Sequence, residues 1–206
     1  MFTGLVQSTG RIVSVQPLSG ASDAGVRVEV DAAGLAPRPI ALGDSIAVSG
    51  VCLTVTGLRG GTFTADVSRE TLSKTAGLDT PGAVNLETAL ALGDKLGGHL
   101  MAGHVDGVGE IVRRAPVGES TELVVRIPAD LAIYMASKGS VAVNGVSLTI
   151  NRVTDQAGGC EIAINLIPHT IAATTFALLA PGARVNIEAD LLARYVVRAR
   201  DCDPIR

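Results

Sequence analysis

Two reactive side chains stand at the same place in two copies of one motif. Residues 45–55 read SIAVSGVCLTV and residues 140–150 read SVAVNGVSLTI, with seven of the eleven positions identical. The thiol of Cys52 thereby aligns with the hydroxyl of Ser147, and Thr54 aligns with Thr149. A partly ionised thiol is a nucleophile. Two hydroxyls spaced two apart on a strand share a face and can hold or relay a proton. Each has a blander reading. A free Cys is commonly a small buried hydrophobe, and Ser/Thr pairs often satisfy nearby backbone groups. Further exchanges between the copies set Leu5 against His104, Glu70 against His169 and Gly43 against Lys138. Histidine is the natural acid–base group near neutral pH. His104 sits in GHVDG, between glycines that let a ligand approach the backbone; His99, five residues earlier, reads as structural. Two pockets that only bound a ligand would not need such polar exchanges, so the copies divide a chemical task.

The elements that must position these groups are also duplicated. Gly4-Leu5-Val6 matches Gly103-His104-Val105, and Val84 to Glu87 matches Val185 to Glu188. Order is kept and the offset drifts only slightly, as expected for one supersecondary unit used twice. The boundaries fall at residues 1–97, 98–188 and 189–206. Short β-branched runs recur between glycine-rich turns: Arg11 to Val15, Val26 to Val30, Ser45 to Val48, Leu53 to Gly57, Thr62 to Val67 and Val84 to Glu87. Six short strands per half predict an all-β unit, either a small closed barrel or a sandwich. Ser68 to Leu72 begins a short helix, matched by Pro168 to Ile171. The tail DLLARYVVRAR, Asp190 to Arg200, places Leu191, Leu192, Tyr195, Val196 and Ala199 at helical spacing. That stripe covers either its own barrel or another copy of the chain.

Composition narrows the function. Of 206 residues 47% are hydrophobic but only 2% aromatic, so Val, Leu, Ile and Ala must fill the core. The net charge of −3 argues against nucleic-acid binding, which needs a basic face and stacking groups. No apolar run reaches the roughly 18 residues of a membrane span. The opening MFTGLVQ lacks the charged and apolar regions of a secretory signal. Cys52, Cys160 and Cys202 lack metal-ligand spacing and predict free thiols in a reducing cytoplasm.

The opening MFTGLV, GDSIAVSGVCLTVT (residues 43–56), GGHLMAGHVDGVG (97–109), KGSVAVNGVSLTI (138–150), LIPHT (166–170) and VNIEAD (185–190) together resemble the trimeric, α-chain type of riboflavin synthase. The resemblance spans nearly the whole chain in order. It implies two tandem homologous six-stranded Greek-key β-barrels with a C-terminal α-helix that builds a homotrimer. It implies that two molecules of 6,7-dimethyl-8-ribityllumazine dismutate to riboflavin and 5-amino-6-(ribitylamino)uracil, with no cofactor and no metal. The site it implies lies between the first barrel of one subunit and the second barrel of its neighbour. Such a reaction needs two copies of one molecule face to face, and paired pockets supply the proximity.

Carried onto this chain, the resemblance makes Cys52, His104, Ser147, Thr149 and Asp190 catalytic candidates. It gives the first pocket Gly4, Leu5, Val6, Cys52, Leu53, Thr54, Asp66, Val67, Ser68, Arg69, Glu70 and Thr71. It gives the second Gly103, His104, Val105, Lys138, Ser147, Leu148, Thr149, Asn165, Leu166, Ile167, Pro168, His169 and Thr170. Phe2 and Ser45 match positions close to the site. Asn144 stands where the family often has Asp, and an amide carries no charge and is no base. A non-catalytic binder of the same fold, like the lumazine proteins of luminous bacteria, needs one working pocket; the full second set here favours an enzyme.

Overall fold

The computed structural model describes residues 1–21, 23–32, 34–35 and 39–202. Among these, the first half contributes β1 (Ser8–Pro17), β2 (Val26–Asp31), β3 (Ser45–Val48), β4 (Val51–Arg59), β5 (Thr62–Val67), α1 (Arg69–Lys74) and β6 (Gly82–Thr88). The second half contributes β7 (Gly107–Val117), β8 (Ser120–Pro128), α2 (Ala129–Ala132), β9 (Ser140–Val143), β10 (Val146–Gln156), β11 (Gly159–Leu166), α3 (Pro168–Ala173), a 3₁₀ turn (Thr175–Leu178) and β12 (Arg184–Ala189). A terminal helix, α4 (Leu191–Asp201), follows. The strands close into two antiparallel barrels of the same order, β1-β2-β5-β4-β3-β6 and β7-β8-β11-β10-β9-β12.

Alternation explains both the closure and the placement of the reactive groups. Along β4, Val51, Leu53 and Val55 point inward, while Cys52 and Thr54 point outward. β10 repeats this with Val146, Leu148 and Ile150 inside and Ser147 and Thr149 outside. Register shifts between Val55 and Gly57, and between Ile150 and Arg152, fall at matching points of the two barrels. Such bulges bend a strand and let a short sheet close. Ile12, Val28, Val30, Ile46, Leu53, Phe63 and Leu86 fill the first barrel. Ile111, Val125, Ile127, Val143, Ile150, Ile164 and Ile187 fill the second.

The barrels meet about a local two-fold. Phe2 and Met101 form an antiparallel bridge and are buried with Ala47 and Ala142. The β3–β4 and β9–β10 turns abut there. Asn85 Nδ2 donates to the Asn144 carbonyl at 2.9 Å, and Asn186 Nδ2 donates to the Ser49 carbonyl at 3.0 Å. Asn144 therefore has a structural task. It takes a positive φ (48°) in its hairpin turn, and its Oδ1 accepts the Asn186 N–H at 2.7 Å. An amide suits a residue that must accept at such a buried junction.

Helix α4 has an exposed apolar stripe, as its spacing predicts. Asp190 caps it by accepting the Leu192 N–H at 2.9 Å. Arg194 pairs with Asp106 and lies over the Tyr134 ring, tying the helix to the second barrel. Residues 203–206 of the expected terminal unit lie outside the described residues. Among the described residues, no helix is long and apolar enough to cross a membrane.

Candidate active site

The first cleft, of about 230 Å³, is lined by Val51, Cys52, Glu70, Thr71, Lys74, Thr75, Gly103, His104 and Val105. Strand β4 supplies the thiol. Helix α1 supplies Glu70 and Thr71; Ser68 Oγ caps that helix by accepting the Thr71 N–H at 3.1 Å. The remaining wall belongs to the other half of the chain. The Cys52 N–H donates to the Gly103 carbonyl at 2.8 Å, and Val105 packs against the first barrel's core.

The second barrel mirrors this. The Ser147 N–H donates to the Gly4 carbonyl at 2.9 Å, and Val6 packs against the second barrel's core. The resemblance implies Gly4, Leu5 and Val6 beside Cys52, and Gly103, His104 and Val105 beside Ser147; the structure instead sets Gly4 against Ser147 and Gly103 against Cys52. The two segments are equivalent, but the chain crosses the barrel junction before entering β1 and β7. Each crossing needs its glycine. Gly4 has φ +76° and a Cβ there would lie 2.6 Å from Ser147 Cβ; Gly103 has φ +77° and its Cβ would lie 2.7 Å from Cys52 Cβ.

His99, structural on the sequence alone, stands at the second site. Its Nδ1 lies 2.7 Å from Ser147 Oγ, and its N–H donates to the Thr3 carbonyl at 3.2 Å. Its Nε2 is buried and has no hydrogen bond. Burial pushes the imidazole below its ordinary range, with the Asp190 charge opposing that shift. A neutral ring beside a hydroxyl is arranged to take its proton. Among the described residues, Ser147 has this histidine hydrogen bond and its counterpart Cys52 does not. His104 is exposed and stands with Cys52 rather than with Ser147.

The other expected residues fall into four groups. Phe2, Leu53, Val67, Leu148 and Leu166 turn their side chains into apolar cores and leave only backbone for a ligand. Asp66 is held by Arg27 at 2.7 Å, which lowers its proton affinity, and Asn165 Nδ2 donates to Ser120 Oγ at 2.8 Å. Thr54, Arg69, Thr149, Ile167, Pro168 and His169 are exposed and Thr170 is half-buried, leaving them open to ligand. Lys138 is exposed on the turn before β9 with φ 68°. Ser45 lines a separate cleft with Ile40, Asp44 and Thr88.

Two repeated β-barrels carrying matched outward-facing polar groups define a tandem binding protein, and both units match the lumazine binding domain, over residues 3–89 and 102–190. The chain is 45% identical over 206 residues to riboflavin synthase from Mycobacterium tuberculosis, covering 96% of this chain and 97% of that one. It is 42% identical over 200 residues to riboflavin synthase from Photobacterium phosphoreum, covering 96% and 88%. Among solved structures it is similar to LumP complexed with riboflavin, at TM-score 0.77, 26% identity and coverage of 92% and 99%. It is also similar to LumP complexed with 6,7-dimethyl-8-(1'-D-ribityl) lumazine, at TM-score 0.75 and 25% identity, with the same coverage. The chain belongs to the riboflavin synthase family.

Proposed function

We propose that this chain converts two molecules of 6,7-dimethyl-8-ribityllumazine into riboflavin and 5-amino-6-(ribitylamino)uracil by moving a four-carbon unit from one to the other. The observation that carries this reading is the unequal chemistry of two equivalent positions: thiol and His104 at one pocket, hydroxyl and half-buried His99 at the other. Ser147 passes the 7-methyl proton of its ligand to the neutral His99. The carbanion left behind is delocalised onto the ring carbonyls, where Lys138 and the backbone N–H groups of residues 166–170 stabilise it. Cys52, or a water beside it, adds to the electron-poor ring of the other ligand. Thr149, Glu70, Thr71 and the α3 segment supply polar contacts for the ribityl chains.

The chain works as a homotrimer in the cytoplasm, with the first pocket of one subunit facing the second pocket of the next. The exposed stripe on α4 supports the assembly, and the free thiol of Cys52 suits a reducing compartment. Incubating the purified protein with dimethyl-ribityllumazine alone tests the reaction. Riboflavin should accumulate at one per two substrates consumed, without added cofactor. Tight binding without turnover would make the chain a carrier of the same fold instead.

A further inference from the structure

The last strand of each barrel carries a buried carboxylate that the proposed reaction does not use. Glu87 on β6 is 4% exposed and Glu188 on β12 is 5% exposed. Neither forms an ion pair among the described residues. Both accept from consecutive backbone N–H groups instead. Glu87 Oε1 accepts the Thr3 N–H at 2.7 Å and the Thr3 hydroxyl at 2.7 Å, while Oε2 accepts the Gly4 N–H at 3.0 Å. Glu188 Oε1 accepts the Ala102 N–H at 2.7 Å, and Oε2 accepts the Gly103 N–H at 3.1 Å.

These are the two crossing segments. The segment held by Glu87 of the first barrel ends on Ser147 of the second, and the segment held by Glu188 of the second ends on Cys52 of the first. A carboxylate here costs desolvation, and burial raises the proton affinity of both groups. It also offers two acceptor oxygens to two adjacent donors, which a neutral amide cannot do. We infer that Glu87 and Glu188 are positioning residues wired across the molecule: Glu87 sets the wall of the Ser147 pocket, and Glu188 sets the wall of the Cys52 pocket. The inference deepens the functional reading above and takes the two pockets from it.

Glu→Gln turns one acceptor of each pair into a donor facing an N–H, with little change in size. The test reads each pocket separately in the full-length protein. Iodoacetamide labelling, followed by peptide mass analysis, gives the alkylation rate of Cys52. In a Ser147→Cys chain the thiol at position 147 reports the other pocket. Glu188→Gln should speed alkylation of Cys52 about tenfold and raise the riboflavin concentration that half-protects it by a similar factor. It should leave position 147 within about twofold. Glu87→Gln should do the reverse. Thr3→Val, which removes the hydroxyl bond to Glu87 and the longer bond that the hydroxyl accepts from the Leu5 N–H at 3.2 Å, should loosen position 147 in the same sense and serves if Glu87→Gln does not fold.

General destabilisation would expose both thiols alike, and that result overturns the proposal. So does loosening of the thiol in the glutamate's own barrel, or no change at either. Alkylation without ligand requires no turnover. If the parent protein made no riboflavin, the functional reading would fail while the wiring remained under test.

Discussion

Cys52 and Ser147 occupy equivalent strand positions, yet among the described residues only Ser147 has a half-buried imidazole within hydrogen-bond reach. Ser147→Ala should therefore lower turnover about a hundredfold while riboflavin still protects Cys52. Cys52→Ser should lower turnover without lowering thermal stability; turnover at the parent rate would remove the thiol from the chemistry. The pH dependence follows from His99. Its folded value lies below the ordinary 6.5 because the ring is buried. The neutral base thus persists further into acid, and the acid limb of turnover should lie below that of an ordinary histidine. Folding responds in the same direction: the stability from burying the neutral ring is present above 6.5 and lost as pH falls through the folded value. Asp190 raises the His99 value, so Asp190→Asn should move the acid limb further down. Asn caps a helix about as well as Asp, which separates this charge effect from loss of the α4 cap. A limb that stays in place would disconnect Asp190 from His99. At this scale the copies were informative where both have a residue, as at Cys52 and Ser147. His99 lies outside the segments that match between the copies, so that comparison does not reach it. The only local signal was the pair of glycines before it, which lets the backbone run close over Ser147.

At the scale of elements, the β-branched runs locate the six strands of the first half because an alternating face must be buried on one side, and the repeat carries them to the second half. Their ends were less legible. β1 and β7 extend well past their apolar cores, carried by pairing with β2 and β8 rather than by their own residue types. The α2 turn, four residues after Pro128 with no side-chain cap, is too short to leave a period in the sequence. Helix α4 was legible, and its stripe did not resolve onto its own barrel. Leu192, Tyr195 and Val196 remain 68%, 65% and 68% exposed, a contiguous apolar face that fits the proposed assembly contact. Val196→Glu should convert the proposed trimer to smaller species by light scattering and depress turnover. A fully active trimer would move the assembly contact elsewhere.

Across the whole molecule, the lead segment of each half lies against the other half. The sequence could not disclose this, because a repeat shows which residues correspond and not which barrel they touch. The same geometry makes one chain insufficient if paired pockets come from neighbouring subunits. Mixing the Cys52→Ser and Ser147→Ala chains during refolding should then recover activity, since some junctions would unite an intact thiol with an intact hydroxyl. No recovery would place both halves of one reaction inside a single chain.

The reciprocal crossing also bears on ancestry. A single barrel of this kind, before duplication, would have had its leading residues unplaced unless a second identical molecule accepted them and returned its own. The precursor implied by the local two-fold is thus a homodimer with exchanged arms. Joining its genes end to end would have preserved the exchange while freeing each mouth to acquire a side chain of its own.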